Sequence, residues 1–125
     1  MSEFNFKSQI CTDKLQSERL LALGLKKETA DMCHFWHWES DDYSRVCASW
    51  EFAHRSNKDI PAWSLGRLLA LVNGEDWRAE ITLKDERYGI HYGYESYWYD
   101  NIFDAVIAWI EDDIKEGYFN KEYLV

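Results

Sequence analysis

A chain of 125 residues has room for one domain, and a 17% aromatic content supplies enough large side chains for a core without disulfide or metal staples. That excludes a disordered polypeptide, although 30% of the residues are charged. The net charge is −9, with 13 acidic and 6 basic groups in residues 63–125 against 10 and 8 in residues 1–62; such a field repels phosphate backbones and argues against direct nucleic-acid binding.

In chain order, Phe4-Asn5-Phe6 alternates as an edge strand or an arm laid over the core would. Thr12 is the expected N-cap of a first helix with Asp13 in its first turn; Leu15, Leu20, Ala22 and Leu23 follow, and Gly24 ends it. Lys26 to Met32 reads as a short helical turn or loop that packs Leu25 and Met32. From Cys33 to Phe52 the period becomes two, with polar Glu39-Ser40-Asp41-Asp42 between the alternating runs, which predicts a hairpin. His54 to Asp59 is read as a loop.

Ile60 to Gly74 holds the only proline and predicts a complete helix. Pro61 disfavours helix for the residue before it, Ser64 caps a first turn at Leu65, and Asn73-Gly74 supplies the stop. Leu65, Leu68, Leu69 and Val72 share its apolar face. Next, Trp77, Ala79, Ile81 and Leu83 alternate with polar residues as a half-buried antiparallel strand would. Asp85-Glu86-Arg87 turns the chain into a partner strand over Tyr88 to Tyr94, and a third short strand is expected at Tyr97-Trp98-Tyr99 after a turn at Glu95-Ser96. Gly89 and Gly93 predict a bulge, a twist or the close approach of a neighbouring ring.

Asp100 or Asn101 caps a last helix from Ile102 to Glu116, with Gly117 beyond it. Asp113 falls within its apolar arc, at the rim or paired. Tyr118 to Val125 carries too many aromatic and apolar residues for a free tail and is expected to dock. The whole predicts a single compact α+β domain over 1–125, an antiparallel sheet of two hairpins or a hairpin plus a meander packed against about three helices.

Cys11, Cys33 and Cys47 form an odd, unpatterned set, and no apolar run is long enough for an export signal or a membrane span. Reduced thiols in the cytoplasm are expected, although Cys33 and Cys47 fall where they could face each other across the hairpin. Cys33, His34, His37 and Cys47, with His54 nearby, are metal-ligand types close in sequence, but neither C-x₂-C nor H-x₃₋₅-H is present, and a strand aims His34 and His37 to opposite faces. A metal-binding or small-molecule-binding protein using the Cys33/His34/His37 region, with His91, is the alternative reading. No nucleophile elbow or phosphate loop is present, so no catalytic residue and no cofactor is assigned and a non-enzymatic protein is expected.

The aromatic excess lies on predicted strands. Trp36, Trp38, Tyr92, Tyr94, Tyr97 and Trp98, with acidic Asp104 and Glu111, are the candidate interaction surface, because exposed Trp and Tyr in an acidic surround suit a protein partner better than a nucleic acid. An aromatic-rich core with hydroxyls at its rim is the other reading of the same rings. A special case is a nucleic-acid mimic presenting Asp100, Asp104, Glu111, Asp112 and Glu116 as one acidic band. With Ser17-Glu18-Arg19-Leu20-Leu21-Ala22-Leu23-Gly24-Leu25, Glu28-Thr29-Ala30-Asp31-Met32, Ile60-Pro61-Ala62-Trp63-Ser64-Leu65 and Ala105-Val106-Ile107-Ala108-Trp109, the chain resembles a group of small proteins of Bacteroides-type bacteria, often found among prophage or other mobile-element genes. The resemblance implies a cytoplasmic bacterial or phage-derived protein and brings no activity or catalytic residue. The function expected is therefore a protein-interaction module with an unknown protein partner or a second copy of itself, and no membrane.

Overall fold

A computed structural model describes residues 8–37, 39–47, 58–72, 79–92 and 95–125, the side chains of residues 37, 44–47, 79, 92 and 95 excepted. The expected arm at Phe4-Asn5-Phe6, the stop at Asn73-Gly74, and Trp38, Trp50, His54, Trp77, Gly93 and Tyr94 lie outside the described residues. Those described form an α+β fold of three helices and two three-stranded antiparallel sheets.

Helix α1 spans Lys14–Ala22, and its N-cap is Asp13, not Thr12 as expected. Asp13 accepts the Gln16 amide at 2.7 Å while the Gln16 side chain accepts the Asp13 amide at 3.0 Å, a reciprocal capping box. Thr12 is drawn inward: its hydroxyl accepts the Trp63 amide at 3.0 Å and meets the Ser17 hydroxyl at 2.8 Å. The buried positions of α1 are Gln16, Ser17 and Leu20, whereas Leu15 is 76% exposed. Gly24 follows with φ +104°, the left-handed conformation that suits glycine after a helix. A single 3-10 turn over Lys27–Thr29 leads into the first sheet.

Strands β1 (Met32–His37) and β2 (Asp42–Cys47) make the expected hairpin, with Cys33 opposite Cys47 and an irregularity between His34 and Trp36. Cys33 is a reduced thiol. The sheet gains a strand where the sequence pattern predicts only the approach to the central helix: β3 (Ile60–Ala62) pairs with the other side of β1, giving the order β2-β1-β3. Pro61 is tolerated there because β3 is an edge. Helix α2 (Leu65–Val72) begins as expected, with the Ser64 hydroxyl accepting the Arg67 amide at 3.2 Å while Asp31 holds both the Ser64 amide and hydroxyl.

The second sheet is a meander of β4 (Ala79–Lys84), β5 (Arg87–Tyr92) and β6 (Glu95–Tyr99) in that order. Helix α3 (Ile102–Glu116) is capped by Asn101, which accepts the Phe103 and Asp104 amides at 2.8 and 3.2 Å, and closes on Gly117 at φ +79°. It packs against β5, β6, α1 and α2, so it is the element the core is built around. Leu20, Leu68, Phe103, Val106, Ile107 and Ile110 are fully or almost fully buried, and Trp63 is wholly buried with its indole N–H donating to the Thr29 hydroxyl at 2.9 Å. The tail docks, as expected: Val125 donates to the Gly24 carbonyl at 2.7 Å, and Lys26 to that of Tyr123 at 2.8 Å. No described helix is long and apolar enough to cross a membrane.

Candidate interaction surface

Alternation puts Ile81 and Leu83 of β4 on one face of the second sheet with Ile90 and Tyr88, their partners in β5, and with Tyr97 and Tyr99 of β6. This face meets α3, which covers Ile90 to 1% exposure. The helix lies over β5 and β6, so the apolar face overhangs it at β4: Leu83 is 64% and Ile81 36% exposed. The expected half-buried strand is therefore an exposed one, open on both faces from Glu80 to Lys84. Among the described residues nothing pairs with β4 on the side away from β5.

The backbone of that free side follows from the turn. Asp85 and Glu86 both have positive φ, 52° and 63°, and form a two-residue connection that makes Lys84 and Arg87 a hydrogen-bonded pair. Bonded pairs alternate, so Lys84, Thr82 and Glu80 direct their amides and carbonyls toward β5. Ile81 and Leu83 direct theirs outward.

On the opposite face Gly89 sits between Thr82 and Trp98. A Cβ on Gly89 would lie 2.9 Å from the Trp98 ring and 3.0 Å from His91, so of the three expectations for this glycine the close approach of a ring is the one realised. Trp98 meets His91 edge-on at 5.5 Å, and His91 Nδ1 lies 2.7 Å from the Ser96 hydroxyl. Trp98 is thus half-buried over its own sheet, while Tyr97 on the α3-facing side is 41% exposed. Trp36 belongs to the first sheet, packed edge-on against Tyr43 at 4.9 Å with the Lys58 ammonium 4.7 Å from its ring. The aromatic face expected from the sequence is therefore distributed over two sheets; Tyr92 lies in β5, with only its backbone described.

Asp104 and Glu111 serve inside the molecule. Asp104 accepts Gln16 Nε2 at 2.8 Å, and Glu111 pairs with Arg19, both linking α3 to α1; Arg19's hydrogen bond holds the Glu111 carboxyl below its ordinary range. Asp100 pairs with Arg87 at 3.2 Å. Three members of the expected acidic band are thus bound to internal partners. The Gln16 amide also reaches Asn101 at 3.3 Å, and Gln9 bridges Gln16 and Asn101 at 2.7 Å each, a polar clip joining the N-termini of α1 and α3.

Cys11 lies too far from His34 in the chain for spacing to link the two, yet the fold brings its thiol within 4.0 Å of His34 Nε2. The geometry does not make a nucleophile and its base. His34 Nε2 lies 2.8 Å from the Thr12 carbonyl, which only accepts, so that nitrogen carries a proton and cannot take one from the thiol. Burial first, then Asp31 and Asp13, push the Cys11 thiol up to about 11, away from the thiolate that nucleophilic chemistry needs. Cys33 is buried, its thiol 3.5 Å from the His34 carbonyl, and His91 lies in the other sheet. Among the described residues no three His, Cys, Asp or Glu side chains converge as metal ligands would. An open groove between Leu21, Leu25, Lys26, Lys27, Glu28 and Val125 is mostly apolar. No protein-family model, curated protein or solved structure matches this chain.

Proposed function

We propose that the protein is a non-catalytic interaction module of the cytoplasm, of bacterial or prophage origin, that engages a protein partner through the free edge of its second sheet. The observation that carries this reading is β4: six residues of strand at an edge that nothing pairs with among the described residues, with outward backbone groups and exposed apolar side chains at Ile81 and Leu83. Proteins ordinarily shorten, cover or interrupt such edges, because an open one pairs with other chains. The chemistry around Cys11 and His34 supports the same reading, since the thiol and the imidazole are held in unreactive states. The reduced thiols of Cys11 and Cys33 suit a reducing compartment.

The test is site-specific photo-crosslinking in cells that make the protein, with a photoreactive residue at Leu83 and a control at exposed Arg67 on α2. A discrete protein adduct at Leu83 and none at Arg67 is expected. Equal or absent labelling at both positions contradicts the reading.

A further inference from the structure

The sequence of β4 is complementary to itself when read against a second copy running the other way. Only Ile81 and Leu83 offer outward backbone groups in the exposed part of the strand, so an antiparallel neighbour must bond to that pair. Centring the two copies on Thr82 sets Ile81 opposite the partner's Leu83 and Leu83 opposite the partner's Ile81, each a hydrogen-bonded pair. The same register sets Glu80 opposite the partner's Lys84, Lys84 opposite the partner's Glu80, and Thr82 opposite the partner's Thr82. Opposite charges and paired threonines are favourable cross-strand neighbours. Glu80 and Lys84 are exposed and make no ion pair among the described residues. Sliding the copies by two residues in either direction puts one of these charges opposite Thr82 and loses the pairing. Sliding by four puts two Glu80 or two Lys84 side chains face to face.

We propose that the partner at this edge is a second copy of the chain, forming a two-fold dimer in which two β4 strands join two meanders into one six-stranded antiparallel sheet. The axis passes through Thr82, perpendicular to the sheet, so both α3 helices lie on the same side. Ile81 and Leu83 of the two copies then fill the gap between those helices, covering the overhanging apolar surface. The contact is isologous and closes on itself, so it yields a dimer and not a fibre. This rests on the reading of β4 as an interaction edge and names its occupant.

The test is sedimentation velocity on the purified full chain across micromolar to millimolar concentrations, with circular dichroism to confirm folding. The wild type is expected to pass from monomer to dimer. Thr82→Lys, at an exposed position, sets two ammonium groups together at the axis and is expected to weaken association by roughly 10-fold or more. Lys84→Glu weakens it by juxtaposing two acids in each pair, and the double variant Glu80→Lys/Lys84→Glu restores it, a rescue that no merely adhesive surface would show. A wild type monomeric throughout, or a double variant as weak as Lys84→Glu, overturns the dimer. If the purified chain is monomeric while Leu83 crosslinks to a different protein in cells, self-pairing fails and the interaction module stands; no adduct at Leu83 removes both.

Discussion

β3 and β4, one edge strand from each sheet, are protected in opposite ways. β3 is three residues long, carries Pro61, packs against α1, and is prolonged by the bridge between Cys11 and Ser64 and by Thr12 bonding to the Trp63 carbonyl at 2.9 Å. β4 is twice as long, has no proline, and stands exposed on both faces. Shortness, proline and cover are ordinary protections against unwanted pairing, and of these two strands β3 has all three. The difference teaches that the fold closes β3 as part of its core, whereas among the described residues β4 is left open.

Substitutions should divide along the same line. Trp63→Ala, next to β3, removes the largest wholly buried side chain among the described residues and the partner of Thr29, and is expected to destabilise the fold by about 3–5 kcal/mol in urea denaturation. Asp113 gives a pH-dependent version of the same contrast on the covered side of α3. Burial first, then Asp112, push its carboxyl from 3.8 to about 6, partly offset by the neighbouring Trp109 indole. The folded state holds the proton that the unfolded chain has already released, so stability is greatest below the unfolded value. It falls as pH rises from there toward about 6. Asp113→Asn should flatten that slope and stabilise the protein above pH 6, read from thermal melts across the range.

Smaller effects follow where fewer buried groups are involved. Gln16→Ala opens the clip between α1 and α3 and leaves Asp104 without its amide, an expected loss of about 1–3 kcal/mol in urea denaturation. At the other edge, Leu83→Ser should change the stability of the monomer by no more than about 0.5 kcal/mol, because the side chain is largely in water already. Its expected effect is on association alone, seen as a lower dimer fraction in sedimentation at equal concentration.

Elements fixed by local signals were legible in the sequence: α2, α3, the first hairpin and the meander each show their period, α1 was marked by a cap residue and Gly24, and Ser64, Asn101 and Gly117 mark helix ends as expected. What failed depended on partners distant in the chain. Thr12 and Asp13 are both good caps, and the choice fell to Asp13 because Trp63, far along the chain, takes the Thr12 hydroxyl. Gln16 and Ser17 are buried in place of Leu15 because Asn101, Asp104 and Thr12 satisfy their polar groups. β3 is too short for periodicity to show, and Pro61 pointed to a helix start. Alternation disclosed β4 but not its place at an edge, which only sheet order decides. The complementarity of Glu80, Ile81, Thr82, Leu83 and Lys84 was present in the sequence, yet it has meaning only once that edge is known to be open.

Amide hydrogen exchange along β4, followed by NMR as the protein is concentrated, tests the open edge and its closure by a second copy most directly. The Thr82 and Lys84 amides face β5 and should be protected at every concentration, whereas those of Ile81 and Leu83 should exchange freely in dilute solution and gain protection as the dimer forms. Ile81 and Leu83 amides that stay unprotected at millimolar concentration, or that are already protected in the dilute monomer, would contradict it.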